Sequence, residues 1–209
     1  MNKLELALLE SFRKTAGNRF EHPDLQWLEE INKANVLYYR WMFRAASFMH
    51  PAVAMELGVC RAEGSAHIAA GADLTIGVDI APERPVFDEN AAKIREHGRE
   101  YIFIEGPSTA PQTVAKVFEI TRERRKLIEF IFIDTIHTYN QAMGEFRTYE
   151  PLLAPGALIV MDDVLDPPNE VYRAFQEIPG QHLEMHELHY SDDWRRITVG
   201  FGAIVYKSI

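Results

Sequence analysis

Cysteine, positive charge and long apolar runs are all scarce in this sequence. Cys60 is the single cysteine among 209 residues, which excludes an intramolecular disulfide and points to a reducing compartment. Lys and Arg number 22 against 31 Asp and Glu, for a formal net charge of -9. Affinity for a nucleic acid backbone rests on clustered cations, so no nucleic acid partner is expected. No apolar stretch reaches the roughly 20 residues of a membrane-spanning helix. The amino-terminal MNKLELALLESFRK alternates charged and apolar residues and lacks the apolar centre of a secretory signal. The expectation is a cytoplasmic protein with no membrane partner.

What is present suits a globular protein with a sizeable core. Hydrophobic residues make up 47% and charged residues 25%, ordinary proportions for a folded chain of this length. One domain over residues 1–209 is expected, with residues 1–50 as a helical extension or cap and 51–209 as the core. Leu4, Leu8, Leu9 and Phe12 fall at helical spacing, which predicts an amphipathic helix over 3–14 that ends near Gly17. Pro23 and Asp24 open one or two further helices reaching about Met49. These helices are expected to pack on the core or to lie over a site, and exposed aromatics among them could form a homo-oligomer contact.

After Pro51 the pattern alternates. Strands are read near 52–58, 74–79, 101–105, 128–133 and 157–161, with helices near 63–70, 88–97, 110–125, 139–152 and 168–177. Alternation of this kind predicts an α/β, Rossmann-like, doubly wound and mainly parallel sheet. Leu183 to Tyr190 and Ile197 to Tyr206, joined through SDDWRR, read as an antiparallel pair that closes the edge, giving seven strands with the last one reversed.

The chemistry gathers where strands end. Ile128 to Ile133 run into Asp134, and Ala157 to Met161 run into Asp162 and Asp163. In open α/β sheets ligands lie beyond the carboxyl ends of the strands. Oxygen ligands of this kind suit magnesium, manganese or calcium; the plain alternative is that the three acids cap the segments that follow. At the first strand AVAMELGVCRAEGSAHIAAG leads into a helix, with Gly58 at the tight turn. Cys60 stands where GxGxxG would carry its second glycine, which disfavours a dinucleotide cradle. Asp79 closes the second strand 21 residues after Gly58, where an acid can accept the hydrogen bonds of a ribose diol.

These residues resemble a class I S-adenosylmethionine-dependent methyltransferase, and more narrowly the metal-dependent small-molecule O-methyltransferases of the catechol, caffeoyl-coenzyme A and cephalosporin-hydroxylase-like sugar types. The likeness covers roughly residues 52–206. It implies S-adenosylmethionine as methyl donor, a divalent metal with magnesium as first choice, and a small hydroxylated acceptor. It places Glu56 at the donor's amine, Gly58 at the turn, Asp79 at the ribose and Ser108 beside the adenine. Asp134, Asp162 and Asp163 fall on its metal-ligand positions, Asp134 also facing the donor. His137 falls where the catechol type carries a proton-accepting lysine, a task histidine can perform near neutral pH. Ala62 departs from the family's usual glycine, so the loop is expected to take a different path.

Other features receive plainer readings. Tyr139, Met161 and Cys60 are read as packing residues, and RERRK over 122–126 as a solvated helix end. Tyr38, Tyr39, Trp41 and Trp194 are candidate walls of the acceptor pocket, in the segments around 1–50 and 165–195 where specificity is expected. Two alternatives stay open: a metal-independent methyltransferase using His137 alone, and a nucleoside-binding protein without catalysis.

Overall fold

The computed structural model describes residues 23–32, 37–164, 170–190 and 196–208. The helix expected over 3–14, Trp194 and most of the SDDWRR link lie outside them. In chain order the elements are α1 (Leu25–Ile31), α2 (Leu37–Met49), β1 (Ala54–Leu57), α3 (Glu63–Ala69), β2 (Leu74–Asp79), α4 (Val86–Glu96), β3 (Glu100–Glu105) and α5 (Pro111–Arg124). Then follow β4 (Ile128–Ile133), α6 (Tyr139–Tyr149), a 3-10 turn (Glu150–Leu152), β5 (Leu153–Met161), α7 (Val171–Glu177), β6 (Gly180–Tyr190) and β7 (Arg196–Tyr206). No helix among the described residues is long and apolar enough to cross a membrane.

The strands form one sheet in the order β3-β2-β1-β4-β5-β7-β6. β1 to β5 are parallel, and β7 runs antiparallel to both β5 and β6. This is the doubly wound, seven-stranded sheet that the sequence leads one to expect. The reversed strand lies inside the edge, with β6 outermost.

The apolar runs are continuous because both faces of the sheet are covered. In β4, Ile131 and Ile133 pack with Phe146 and Tyr149 of α6 and Phe175 of α7. Phe130 and Phe132, one residue out of step, meet Trp41 and Met42 of α2 on the other face. α1 and α4 extend that second layer through Leu28, Phe87 and Ile94, joined by Phe43 of α2. Leu28 and Phe43 are both fully buried, and each such burial contributes roughly 1.5–3 kcal/mol. The described part of the extension therefore shares the hydrophobic core. Trp41 belongs to that core, only 2% exposed and packed on Phe201. It is not a pocket wall, because its position on α2 faces the sheet. Met161 is core as expected, and residues 122–126 form an exposed helix end.

After β3 the chain crosses back over the sheet to place β4 beside β1. A crevice opens at such a reversal of strand order. The ends of β2, β1, β4 and β5 lie in adjacent positions there, with Leu57 opposite Ile133 and Ile133 opposite Met161. Gly58 is what lets the first turn close against the fourth. Its φ is +85°, and a Cβ would stand 1.8 Å from the carbonyl oxygen of Asp134.

Gly58→Ala is accordingly expected to combine left-handed strain of about 1–3 kcal/mol with an overpacking penalty of about 1–3 kcal/mol. At roughly 2–4 °C per kcal/mol for a chain of this size, its thermal midpoint should fall by roughly 4 °C or more. Gly98, with φ +71° and open space around it, carries only the strain, so Gly98→Ala should shift the midpoint by roughly half as much. Equal shifts in a melting comparison would contradict the close approach at Gly58.

Candidate active site

The crevice holds a cleft of about 240 Å³ lined by Tyr39, Glu56, Gly58, Arg61, Glu83 and Asp134, among others. Glu56, one residue before the end of β1, lines the cleft and is 2% exposed. Its carboxylate accepts a hydrogen bond from the Ser65 hydroxyl of α3, which in turn lies 3.2 Å from the Tyr101 hydroxyl. α3 can start this close because residue 64 is glycine: a Cβ there would meet Glu56 Oε1 at 2.1 Å. Burial pushes the Glu56 carboxyl well above its usual range, the bond from Ser65 opposes this, and nearby Asp134 and Asp79 add to the rise.

Asp79 ties the first loop to the second strand. Its Oδ2 accepts from the Cys60 amide at 2.8 Å and its Oδ1 from the Ala81 amide at 2.8 Å. A carboxylate has about four acceptor sites, so capacity remains on both oxygens. The loop between is tightly wound, with Cys60 at φ 49° and Ala62 at φ 61°. Ala62 keeps a left-handed conformation that suits glycine best, and its methyl is fully buried among Val59, Ala66 and Phe43. Cys60 is not a packing residue: it is exposed, its Sγ 3.8 Å from Glu83, because the left-handed backbone turns it out of the core. Burial and the Glu83 charge raise its thiol.

Ser108 lies after β3, its hydroxyl donating to Glu145 of α6. Gln141 Nε2 donates to Ser108 Oγ at 3.2 Å and to Glu145 at 2.8 Å. Thr135, the neighbour of Asp134, donates to the other Glu145 oxygen at 2.8 Å. Glu145 is fully buried, and burial raises its carboxyl despite these three bonds. It thus links the Ser108 loop to the Asp134 loop, a role that sequence reasoning missed. The signal was an acid on the apolar stripe of α6, between Ala142, Met143, Phe146 and Tyr149.

The acids at the ends of β4 and β5 meet His137. Ligand-type atoms of Asp134, His137 and Asp162 all lie within 4.8 Å of one another. Asp163, at φ +54°, turns outward and places Oδ2 2.7 Å from His137 Nδ1. His137 Nε2 stands 3.4 Å from Asp134 Oδ1. Of the three acids that the sequence suggests as metal ligands, Asp134 and Asp162 converge with His137, while Asp163 holds the far side of the imidazole. Asp162 is 9% exposed; its Oδ2 lies 3.4 Å from the Tyr38 hydroxyl of α2. Its Oδ1 is buried with no hydrogen-bond partner among the described residues.

Burial raises the Asp134 and Asp162 carboxyls, Asp162 well above its usual value with added repulsion from Asp134 and Asp163. Hydrogen bonds to Asp134 and then to Asp163 raise His137 to about 10, so the imidazole is held as a cation by its neighbours. Tyr39 lines the cleft from α2 and stacks on His67 at 5.4 Å. Tyr139 packs as expected, its ring beneath Arg173 at 4.2 Å and its hydroxyl on Glu177 of α7.

Glu145→Gln should keep the shape and put an amide N–H₂ among groups that now donate to the carboxylate. An expected loss of about 1–3 kcal/mol would be read as a lower denaturant midpoint at unchanged slope. Wild-type stability in that variant would show that the buried network does not hold the two loops together.

Known proteins share this fold. Residues 41–180, well over half of the chain, match the family model described as rhamnosyl O-methyltransferase/CmcI. Rhamnosyl O-methyltransferase from Mycobacterium leprae (strain TN) is 28% identical over 95 residues, covering 46% of this chain and 41% of that protein. The chain's match thus spans about two fifths of the length of that curated relative. Among solved structures, the O-methyltransferase from Bacillus cereus in complex with SAH has a TM-score of 0.63 at 15% identity, over 98% of this chain and 100% of that one. The O-methyltransferase TomG from Streptomyces achromogenes, in complex with SAM, has a TM-score of 0.63 at 14% identity over 100% of each chain. At these identities the structural likeness is one of fold, and it is the sequence match over β1 to α7 that assigns descent: the chain belongs to the rhamnosyl O-methyltransferase/CmcI family.

Proposed function

We propose that the protein is an S-adenosylmethionine-dependent O-methyltransferase for a small hydroxylated acceptor, with a divalent cation held by Asp134 and Asp162. The observation that carries the metal reading is the Asp162 Oδ1 atom, buried without a hydrogen-bond partner among the described residues. Leaving such an atom unsatisfied is costly, and a hard cation satisfies it; the all-oxygen acids favour magnesium first. His137 lies within the same group and Asp163 steadies it. The name of the Mycobacterium leprae relative makes a sugar hydroxyl one acceptor to try.

In this reading Glu56 faces the donor's amine, Asp79 its ribose and Ser108 its adenine edge, with Gly58 allowing the backbone to approach. A bound cation would acidify and hold the acceptor hydroxyl and would weaken the acids' grip on the imidazolium of His137. His137 is the group placed to take the acceptor's proton. Tyr38 and Tyr39 bring α2 to the site as one wall, and most of the rate enhancement is assigned to positioning and electrostatics. A metal-free variant of the same reaction would pair His137 with Asp163 at 2.7 Å as a base and its orienting acid, and would need the imidazolium, raised to about 10, to lose its proton first.

Calorimetry with S-adenosylhomocysteine tests the donor site, and no binding would remove the methyltransferase reading. Exhaustive dialysis against chelator should abolish methylation of sugar and catechol acceptors, and magnesium or manganese should restore it. Activity that persists at full strength without metal would leave His137 and Asp163 as the whole of the proton-accepting machinery.

A further inference from the structure

The cleft beside Glu56 has an unbalanced charge inventory. Glu56, Glu63, Glu83 and Asp134 are four of its lining residues, and Arg61 is the one cation among them. At about 240 Å³ it is smaller than the roughly 300–1,000 Å³ of pockets that enclose whole ligands, so it suits one end of a larger molecule. An amino-acid end offers an ammonium to the acids but also a carboxylate, which they would repel. His137 cannot answer that carboxylate, because Asp163 and Asp134 hold its two nitrogens.

We propose that Arg61 binds the α-carboxylate of the methyl donor, forming with Glu56 a clamp for the donor's amino-acid end. This rests on the reading of the cleft as the S-adenosylmethionine pocket. Arg61 is already oriented for the task. Glu83 takes two of its donors in a forked pair, Nε at 2.7 Å and Nη2 at 2.8 Å, and is itself fixed by the hydrogen bond that its backbone N–H donates to the Cys60 carbonyl at 2.9 Å. A guanidinium carries five N–H groups, so the Nη1 edge remains available without breaking the pair with Glu83. The side chain is 46% exposed at the mouth, where an incoming carboxylate can reach it. Arg61 thus selects an amino-acid-bearing nucleoside over a plain one, while Glu83 acts through Arg61 as a positioning residue.

The test compares S-adenosylmethionine with its decarboxylated analogue, which keeps the ammonium and sulfonium, by calorimetric titration of the intact protein and of Arg61→Gln and Arg61→Lys. Wild type should prefer the carboxylate-bearing ligand. Arg61→Gln should weaken S-adenosylmethionine by roughly 10–100-fold, the range of a charge-assisted hydrogen bond, and leave the analogue's affinity unchanged or tighter. Arg61→Lys, a point charge without the fork, should recover part of the loss. Equal weakening of both ligands in Arg61→Gln would mean a damaged loop, and equal affinities in the wild type would mean no carboxylate site; either overturns the proposal while leaving the donor pocket standing. Failure of the wild type to bind either ligand would overturn the pocket and the proposal together.

Discussion

No side chain can stand between residue 58 and the carbonyl of Asp134, where a Cβ would sit at 1.8 Å. That one close approach brings the turn after β1 against the turn after β4, at the point where the order of strands reverses. The amide of Asp134 bonds back to Leu57 at 2.8 Å, and the amide of Asp162 bonds to Ile133 at 3.1 Å. Each strand end is thereby stitched to its neighbour. The functional side chains follow from this row: their separations are set by strand spacing and by backbone bonds rather than by their own flexible stems.

Such a row of acids is electrostatically expensive, and the local structure shows how the expense is met. Burial raises Glu56, Asp134 and Asp162 alike, the charge of Asp134 adds to the rise at Glu56 and Asp162, and that of Asp163 adds to the rise at Asp134 and Asp162. Two cations stand at the two ends of the crevice, His137 between Asp134 and Asp163 and Arg61 against Glu83. Backbone amides of Cys60 and Ala81 donate hydrogen bonds to Asp79. What is left over is the buried Oδ1 of Asp162, without a hydrogen-bond partner among the described residues. The proposed sulfonium donor and divalent ion would both bring positive charge to this row of acids.

The amino-terminal helices are more than a cover. α1 and α2 bury Leu28, Trp41 and Phe43 in the second layer of the core, and the same α2 delivers Tyr38 to Asp162 and Tyr39 to the cleft. Adjacent tyrosines on a helix diverge by about 100°, so one helix can reach both halves of the crevice. Periodicity marked these residues only as an apolar and aromatic stretch; it could not separate Trp41, which faces the sheet, from Tyr38, which faces an acid. Cys60 was misplaced for a related reason: a left-handed backbone reverses the side chain's direction, and the residue type gives little sign of it.

The sequence by itself determined the sheet. Runs such as Ile128 to Ile133 and Ala157 to Met161 are buried on both faces, a property written locally in consecutive residues, and each run names its own end by the acid that follows. Strand order, the reversed β7 and the adjacency of Gly58 and Asp134 come with that topology. Which of those acids converge was decided by tertiary structure. Asp134 and Asp162 converge with His137 while Asp163 holds the other nitrogen of its imidazole, Glu145 gathers Ser108, Gln141 and Thr135, and Arg61 meets Glu83, 22 residues further on. Tyr38 reaches Asp162 across 124 residues. Contacts of that separation leave no periodic trace, because a polar side chain's partner depends on where the packed core sets two loops down and not on its neighbours in the chain.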